Sequence, residues 1–563
     1  MAAIQCRRPV WAAAVRTNQK IFFFQVISDS GRVPADFRKQ NHKQGIKRRA
    51  TLYSIISTAS IQGIRSVPVC VEADVSDGMP VFEMVGFLSS EVKEAKERVR
   101  TALKNNGCTL PPRHITVNFT PADIRKTGSG FDLPIAIAVL AAMGEIKAES
   151  VKDTLFIGEM GLNGKLQPVN GILPMVAGAK RQGLKRCVVP EENVYEAQMV
   201  TGIKVCGAEC LRTVLSILNG ESDCGRVQKI LPRDEVCEET IDFSEIHGQH
   251  FIKHACEVAV CGMHNLLMIG PPGAGKTMMA KRISTIMPPM SEQEQMELSK
   301  IYSVSGLFPR QGKLMERRPF RAPHHTISMQ GLAGGGILPK PGEISLAHKG
   351  VLFLDELPEF QKNTLEVLRQ PMEEKQVRLV RISGTFEYPA DFMLVAAMNP
   401  CRCGYYPDLN KCRCSANEIS RYIGKISQPL LDRIEICVET PRIPFRELTG
   451  RDVEEDSETI RARVVLAQRI QRERYQKEAF DFNSQIPASK LESYCTLNAG
   501  QTAYMEQMYK TLHLTARSYH KILKVARTLA DMEQEEKIKT RHLDEAICYR
   551  SVDKRFWNRD REA

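Results

Sequence analysis

The chain has 563 residues, a formal net charge of +12 and 43% hydrophobic residues. Its length predicts three or four domains, and its apolar content excludes a largely disordered protein. No apolar run is long enough to cross a bilayer, so we expect no membrane partner. The 17 cysteines, most of them scattered singly, favour a reducing, cytoplasmic location over a disulfide framework.

The positive charge is concentrated near the N-terminus. Residues 1–50 carry eleven Lys or Arg and two Asp, an excess of nine, which leaves only +3 for the other 513 residues. An interaction with nucleic acid must therefore rest on a local site and not on composition. We interpret residues 1–51 as a basic extension, either a disordered tail or a start codon assigned too early, in preference to a transit peptide.

Regular patterns begin at Leu52 and divide the rest of the chain into three parts. Alternating strands and apolar helices, among them the helix FDLPIAIAVLAAMG, predict an α/β domain over 52–220. A polar stretch over 221–240 indicates a linker. We place a second α/β domain at 241–441 and a mostly helical domain at 442–556.

A phosphate-binding loop follows the predicted strand NLLMI and precedes a predicted helix. Its residues are Gly270, Pro271, Pro272, Gly273, Ala274, Gly275, Lys276 and Thr277. The glycines allow backbone N–H groups to close on phosphate oxygens, and the helix N-terminus adds partial positive charge. We expect Lys276 to reach the β and γ phosphates of ATP and the Thr277 hydroxyl to bind Mg²⁺.

Three later segments carry candidate catalytic groups. The strand GVLFL ends in Asp355 and Glu356; we predict that Asp355 holds Mg²⁺ and that Glu356 polarises the attacking water. For this segment alone, the alternative is a pair of acids at the N-terminus of the next helix. The strand FMLVAAMNP ends in Asn399, which could contact the γ-phosphate. Arg433 is either an arginine finger for a neighbouring subunit or half of an Arg–Asp surface pair.

These motifs and the helical C-terminal part resemble an AAA+ ATPase. The segments RAPHHTISMQGLAGGGILPKPGEISLAHKGVLFLDELPEF, AAMNPCRCGYY and ISQPLLDRIEI are similar to the Mg-chelatase-like ATPases of the YifB/ComM type, over residues 52–556. The resemblance implies a multidomain α/β fold with a Lon-protease-like α/β N-terminal domain, a P-loop AAA+ α/β core and a C-terminal helical lid. It also implies a homo-oligomeric, hexameric ring that acts on single-stranded or branched DNA, as a branch-migration helicase in recombination and natural transformation.

Further site residues are implied by the same resemblance. It makes Asn399 sensor 1, Arg433 the arginine finger and Arg517 sensor 2. It places a helix-2 insert near 328–346 and a presensor hairpin near 375–391, both of which line the pore of the ring.

Two other segments carry predicted contacts. In the hairpin, Arg378 and Arg381 are three positions apart, so they lie on opposite faces of a strand. We expect one of them to contact DNA and the other to pack along the ring or pair with an acid; the alternative is a plain surface ribbon. The segment DFSEIHGQ (242–249) resembles one that closes over adenine.

The N-terminal domain resembles the proteolytic domain of Lon proteases, but its catalytic residues do not carry over. In place of the Gly-Pro-Ser-Ala-Gly turn of that family, this chain has TGSGFD (127–132), with Ser129 displaced by one position. The segment ILPMV (172–176), where the partner lysine is expected, contains no lysine. A serine without its base is a weak nucleophile, so we predict a non-catalytic docking or ring-building module.

Four cysteines follow Asn399 closely: Cys401, Cys403, Cys412 and Cys414. Four thiols at this spacing could close a tetrahedral zinc site, although the Cys-x-Cys pairs are tighter than the common Cys-x2-Cys. We favour a structural zinc ion over four reduced cysteines without metal, with an iron–sulfur cluster as a third alternative.

Several classes of function compete with the DNA motor. A metal-chelatase ATPase subunit that remodels a protein partner is disfavoured, because the Lon-like domain is typical of the ComM type. An ATP-dependent protease is disfavoured by the missing lysine. A scaffold without enzymatic activity is disfavoured by the full set of ATPase motifs.

Overall fold

A computed structural model describes residues 52–222, 241–309, 312–336, 339–381, 384–442 and 454–557. The predicted basic extension over 1–51 lies outside the described residues, as does most of the predicted linker. The predicted domain boundaries stay predictions. None of the described helices is long and apolar enough to span a membrane.

Nine strands form the N-terminal part. They are β1 (Leu52–Gln62), β2 (Arg65–Ser76), β3 (Phe82–Val85), β4 (His114–Thr120), β5 (Thr154–Phe156), β6 (Glu159–Met160), β7 (Leu166–Gln167), β8 (Arg186–Pro190) and β9 (Lys204–Ala208). Seven of them form one sheet in the order β3-β4-β2-β1-β5-β8-β9, and β6 pairs with β7. β1 and β2 are antiparallel, whereas β5, β8 and β9 are parallel neighbours.

Helices cover this sheet. They are α1 (Ser90–Asn105), α2 (Asp132–Ala142), α3 (Ala148–Val151), α4 (Ile172–Arg181), α5 (Val194–Ala197) and α6 (Leu211–Asn219). α1 begins after Ser89, whose hydroxyl accepts a hydrogen bond from Val92 N, as a helix N-cap does. α2 is buried on nearly every side, as its unbroken apolar sequence predicts.

A five-stranded parallel sheet forms the centre of the next part. The strands from here on are β10 (Leu266–Ile269), β11 (Phe320–Arg321), β12 (Gly334–Gly335), β13 (Lys340–Pro341), β14 (Val351–Leu354), β15 (Gln376–Arg381), β16 (Gly384–Pro389), β17 (Met393–Met398) and β18 (Ile436–Glu439). The sheet order is β11-β14-β17-β10-β18. β10, β14 and β17 are buried throughout, which explains their continuous apolar sequences. Because β17 lies between β10 and β14, the residues that follow these strands meet at one edge of the sheet.

The remaining helices complete the nucleotide-binding part and the C-terminal part. The first group is α7 (His250–Gly262), α8 (Lys276–Ile286), α9 (Glu292–Ser305), α10 (Met329–Ala333), α11 (Glu343–Leu346), α12 (Lys362–Glu366), α13 (Arg369–Glu374), α14 (Ala416–Ile423) and α15 (Gln428–Leu431). The second is α16 (Ser457–Arg474), α17 (Leu491–Tyr494), α18 (Ala499–Thr511), α19 (Ala516–Met532) and α20 (Thr540–Trp557). One apolar core joins Val258 of α7 to Val464 of α16 and Leu529 of α19. The predicted α/β fold class with a helical C-terminal part is confirmed.

The N-terminal part packs on the nucleotide-binding part through α4 and α9. Ile172 of α4 and Leu298 of α9 are buried in the same apolar cluster. Gly171 N donates to the carbonyl of Ser303 at 3.0 Å, and the Ser303 hydroxyl donates to the buried carboxylate of Glu196. The start of α4, where a Lon-type lysine is expected, is therefore part of a docking surface.

Candidate nucleotide-binding site

The predicted phosphate loop lies between β10 and α8. Gly273 and Gly275 have φ values of +75° and +79°, a conformation that favours glycine. Lys276 begins α8 and is buried. Its Nζ donates to the carbonyls of Gly270 at 2.7 Å and Pro271 at 3.0 Å, so the ammonium group is folded back over the loop.

The order of the strands brings a second polar side chain to this lysine. Asn399 follows β17, which neighbours β10, and its Oδ1 accepts a hydrogen bond from Lys276 Nζ at 3.2 Å. Burial lowers the pKa of Lys276, and the carboxylates of Asp355 and Glu356 oppose that shift. Phosphate oxygens beside the ammonium group would favour its charged form.

The two predicted Mg²⁺ ligands also meet. Thr277 Oγ1 donates to Asp355 Oδ2 at 2.6 Å, and the other oxygen of Asp355 accepts from Glu356 N at 2.9 Å. Mg²⁺ prefers hard oxygen ligands at about 2.0–2.1 Å, which places adjacent ligands of an octahedral ion about 2.9 Å apart. The donor set and its spacing therefore fit Mg²⁺.

Glu356 has a strained backbone and a histidine neighbour. Its φ is +52°, an uncommon conformation for a residue other than glycine and one that clusters at functional sites. His325, in the loop after β11, places Nδ1 3.3 Å from Glu356 Oε2. Arg321, which ends β11, is fixed by two hydrogen bonds of 2.7 Å to Glu343 of α11. Sequence reasoning missed His325; its only signal was a pair of histidines after a strand of two residues.

The two predicted catalytic arginines pair with acids elsewhere in the fold. The Arg433 guanidinium pairs with Glu373 of α13, and its side chain is only 13% exposed. Arg517, at the start of α19, lies 3.4 Å from Asp432 Oδ2 and is 66% exposed. The Arg–Asp surface pair that we considered for Arg433 is therefore formed by Arg517. The finger and sensor 2 roles stay predictions.

The segment 242–249 connects the phosphate loop to the C-terminal helices. Gln249 Nε2 donates to the carbonyl of Ala274 at 3.0 Å. At the other end, the Asp242 carboxylate accepts from Ser457 N at 3.1 Å, at the start of α16. Burial alone would raise the pKa of Asp242, but hydrogen bonds from Ser244 and Ser457 lower it to about 2. The adenine contact stays a prediction.

The four clustered cysteines form a compact group of sulfur atoms. The Sγ atoms are separated by 3.3 Å for Cys401 and Cys403, 3.5 Å for Cys403 and Cys412, and 3.7 Å for Cys401 and Cys412. With Cys414 included, all four lie within 4.8 Å of one another. A tetrahedral zinc ion with Zn–S bonds of about 2.3 Å separates its ligands by about 3.8 Å, so the cluster fits zinc.

The cysteine cluster favours a thiolate and touches the phosphate loop. Burial alone would raise the pKa of Cys403, but the Tyr405 N–H and the neighbouring thiols lower it to about 6. Gly404 has a φ of +83°, and a Cβ atom there would lie 2.4 Å from Pro272 Cδ. The turn that follows Cys403 therefore packs closely on the phosphate loop.

The two hairpin arginines differ in their partners. Arg378 faces Glu387 across the β15–β16 pair, and its Nε lies 3.2 Å from Glu387 Oε1. Arg381 is exposed and donates to the carbonyl of Val380 at 3.3 Å. Ser383, at the tip, lies outside the described residues.

In the N-terminal part, Ser129 has a carboxylate as its neighbour. Its hydroxyl donates to Glu159, whereas a Lon-type nucleophile needs an amine. Nearby, Asp132 accepts two hydrogen bonds, of 2.8 and 2.9 Å, from Arg98. These contacts agree with the predicted non-catalytic role, which stays a prediction.

Comparison with known proteins points to one family. Three family models match successive parts of the chain: subunit ChlI of Mg-chelatase at 71–193, magnesium chelatase subunit ChlI at 242–448, and the ChlI C-terminal region at 454–550. The chain is 39% identical over 508 residues to competence protein ComM of Haemophilus influenzae, which covers 89% of this chain and 97% of that protein. Identity to YifB of Escherichia coli is 39% over 503 residues, with the same coverage. Lon protease 2 of Bacillus subtilis is 28% identical over 145 residues, or 24% of this chain and 26% of that protein.

Proposed function

Because the chain belongs to the Mg-chelatase-like AAA+ ATPase family of ComM and YifB, we propose that it is an ATP-driven ring motor that acts on DNA. The observation that carries the proposal is the meeting of Lys276, Asn399, Thr277 and Asp355 at one edge of the parallel sheet. Thr277 and Asp355 would hold Mg²⁺, which neutralises charge on the β and γ phosphates. Lys276 would turn from the loop carbonyls to the phosphates.

Hydrolysis requires a group that orients and polarises water. Glu356 follows Asp355 directly and is partly exposed, so its carboxylate can accept a proton from water at the γ-phosphate. Asn399 would orient that water, and His325 would set the position of Glu356 through the 3.3 Å contact. This arrangement separates nucleotide binding, which needs Lys276, from turnover, which needs Glu356.

We further propose that identical subunits assemble into a hexameric ring. AAA+ membership supports assembly, and Arg433 lies at the end of α15 as a candidate finger for a neighbouring site. Arg517 would report on the nucleotide as sensor 2. Each active site would then be completed by the adjacent subunit, so hydrolysis would depend on assembly.

DNA is the proposed substrate of the motor. The name of the Haemophilus relative, a competence protein, supports this substrate. We propose branch migration of single-stranded or branched DNA during recombination and natural transformation, in the cytoplasm. In the hairpin, Glu387 neutralises Arg378, so Arg381 is the better candidate for a phosphate contact.

A structural zinc ion would be held by Cys401, Cys403, Cys412 and Cys414, because their sulfur spacing fits a tetrahedral ion. Elemental analysis of the purified chain should find about one zinc ion per subunit. Cys403→Ser should lose it, and Cys108→Ser, which changes a cysteine of the N-terminal part, should keep it. Purified protein without zinc, iron or another metal would contradict the proposal.

A second candidate function is that of a chelatase-type ATPase subunit that remodels a protein partner, because the family models describe magnesium chelatase. One assay separates the two candidates. A branched DNA substrate is incubated with the protein, with and without ATP, and with Glu356→Gln as the control. ATP-dependent movement of the branch that is lost in the variant supports the DNA motor. Hydrolysis of ATP without binding or movement of DNA would favour the second candidate.

A further inference from the structure

The turn between β1 and β2 touches the β15–β16 hairpin. Gly63, in the turn, has a φ of +66°, and a Cβ atom there would lie 2.5 Å from the carbonyl oxygen of Glu387. The two backbones therefore approach as closely as only glycine allows. Gln62 Nε2 donates to the carbonyl of Thr385 at 3.3 Å, and Arg65 Nη2 lies 3.6 Å from Glu387 Oε2.

Glu387 receives an arginine from each side. Its Oε1 pairs with Arg378 of the same hairpin at 3.2 Å, and its Oε2 pairs with Arg65 of the turn at 3.6 Å. The carboxylate therefore links the face of the hairpin that carries Arg378 to the N-terminal part.

The N-terminal part makes two kinds of contact with the rest of the chain. Ile172 of α4 is fully buried in an apolar cluster that includes Leu298 of α9. The contact with the hairpin is polar and wet by comparison, since the Arg65 side chain is 80% exposed. Apolar burial is the stronger of the two, and an exposed ion pair contributes little. The first contact is therefore a fixed anchor, and the second can open.

We infer that the N-terminal part is an internal restraint on the hairpin: α4 anchors it on α9, and Gln62, Gly63 and Arg65 hold β16. This gives a task to a part of the chain that resembles a protease domain and lacks the expected lysine. Only its consequence for DNA rests on the proposed function. β16 leads directly into β17 and Asn399, so the restraint would set how far the hairpin moves when the active site changes.

Hydrogen exchange of the full chain tests the restraint without DNA or nucleotide. Arg65→Glu places a second carboxylate against Glu387. The matched control is Arg100→Glu, the same charge reversal at an exposed position of α1. Backbone amides of residues 384–389 should exchange about three- to fivefold faster in Arg65→Glu, the size expected when a weak exposed ion pair becomes repulsive. They should be unchanged in Arg100→Glu, and α9 should be unchanged in both.

A second pair of variants tests the close backbone approach. Gly63→Ala should push the turn away from Glu387 and speed exchange in β16. Gly107→Ala is the control: its φ of +84° carries the same kind of strain, but no atom lies within 4 Å of the added Cβ. Wild-type exchange of the hairpin in both Arg65→Glu and Gly63→Ala would overturn the restraint.

The outcome is separable from the fate of the proposed function. Faster exchange in a protein that neither binds nor moves DNA would support the restraint and contradict the DNA motor. Unchanged exchange in a protein that moves DNA would do the reverse. If both hold, Arg65→Glu should reduce the stimulation of ATP hydrolysis by DNA and leave hydrolysis without DNA unchanged.

Discussion

The hydroxyl of Thr277 and the carboxylate of Asp355 meet at 2.6 Å, although 78 residues separate them in the chain. Thr277 lies in the first turn of α8, which follows β10, and Asp355 directly follows β14. Both strands point the same way in the parallel sheet, so their ends reach the same edge. A cation between these oxygens would sit at the phosphate loop, which accounts for the carboxylate at the end of a buried strand.

Binding and turnover should separate between Lys276 and Glu356. Lys276→Ala should weaken ATP binding at least tenfold, about 1.4 kcal/mol, because the charge on the β and γ phosphates is lost. Glu356→Gln should bind ATP normally and hydrolyse it about 10²–10⁴-fold more slowly. Lys281→Ala, an exposed lysine of the same helix, is the control for both. Normal hydrolysis by Glu356→Gln would show that this carboxylate has been misassigned.

His325 should act on turnover alone. His325→Ala should lower kcat roughly threefold to tenfold with little change in KM, because it removes the neighbour of Glu356 and leaves the phosphate loop intact. His325→Asn, which keeps a polar group at this point, should retain more activity. His324→Ala is the control, since His324 Nδ1 contacts Thr326 at 2.9 Å. An unchanged kcat in His325→Ala would remove the histidine from the site.

The sequence predicted the parts of this site that are built from long apolar strands. NLLMI and GVLFL are readable because a buried parallel strand has no polar positions, and the polar residue after each must face the sheet edge. His325 was not readable, because β11 has two residues and gives no periodicity. The contact of Gly63 with Glu387 was not readable either, since the turn residues give no sign of what they touch. The partner of Arg433, Glu373, is likewise set by tertiary packing.

Arg433 should complete the active site of a neighbouring subunit. Arg433→Ala should fold and bind ATP but hydrolyse it at least tenfold more slowly, because transition-state charge loses its partner. Mixing it with Lys276→Ala should restore part of the activity, since some interfaces then pair an intact loop with an intact arginine. Lys276→Ala mixed with itself gives the baseline. Absence of recovery in verified mixed rings would argue that the pair with Glu373 is the only role of this arginine.

Arg381 should contact DNA, and Arg378 should not. Arg381→Ala should weaken DNA binding and lower the slope of log affinity against log salt by about one. Arg378→Ala removes the partner of Glu387 and should loosen the hairpin with a smaller change in that slope. DNA affinity is measured at several salt concentrations, and ring formation is checked separately. Unchanged affinity in both variants and in the double variant would move the DNA contact away from the hairpin.

Asp391, beside the base of the hairpin, should make stability depend on pH in the acid range. Its carboxylate pairs with Lys349 at 2.8 Å and Lys375 at 3.3 Å. Burial alone would raise the pKa of Asp391, but the two ammonium groups outweigh burial and lower it from 3.8 to about 2. A depressed pKa means that the folded state favours the charged carboxylate. The stabilisation is therefore fully present above about pH 4 and is lost as pH falls through about 2.

Asp391→Asn removes this charge and tests the sign of the effect. At pH 7 the variant should lose roughly 2 kcal/mol of stability, from a shift of nearly two pKa units at about 1.4 kcal/mol each. The urea midpoint of unfolding is measured for both proteins at pH 7, 5 and 3, with the exposed Asp123→Asn as the control. The difference should be constant between pH 7 and 5 and shrink at pH 3, because the wild-type carboxylate then begins to lose its advantage. A difference that grows on acidification would mean that burial dominates and that the lysines do not hold Asp391 in its charged form.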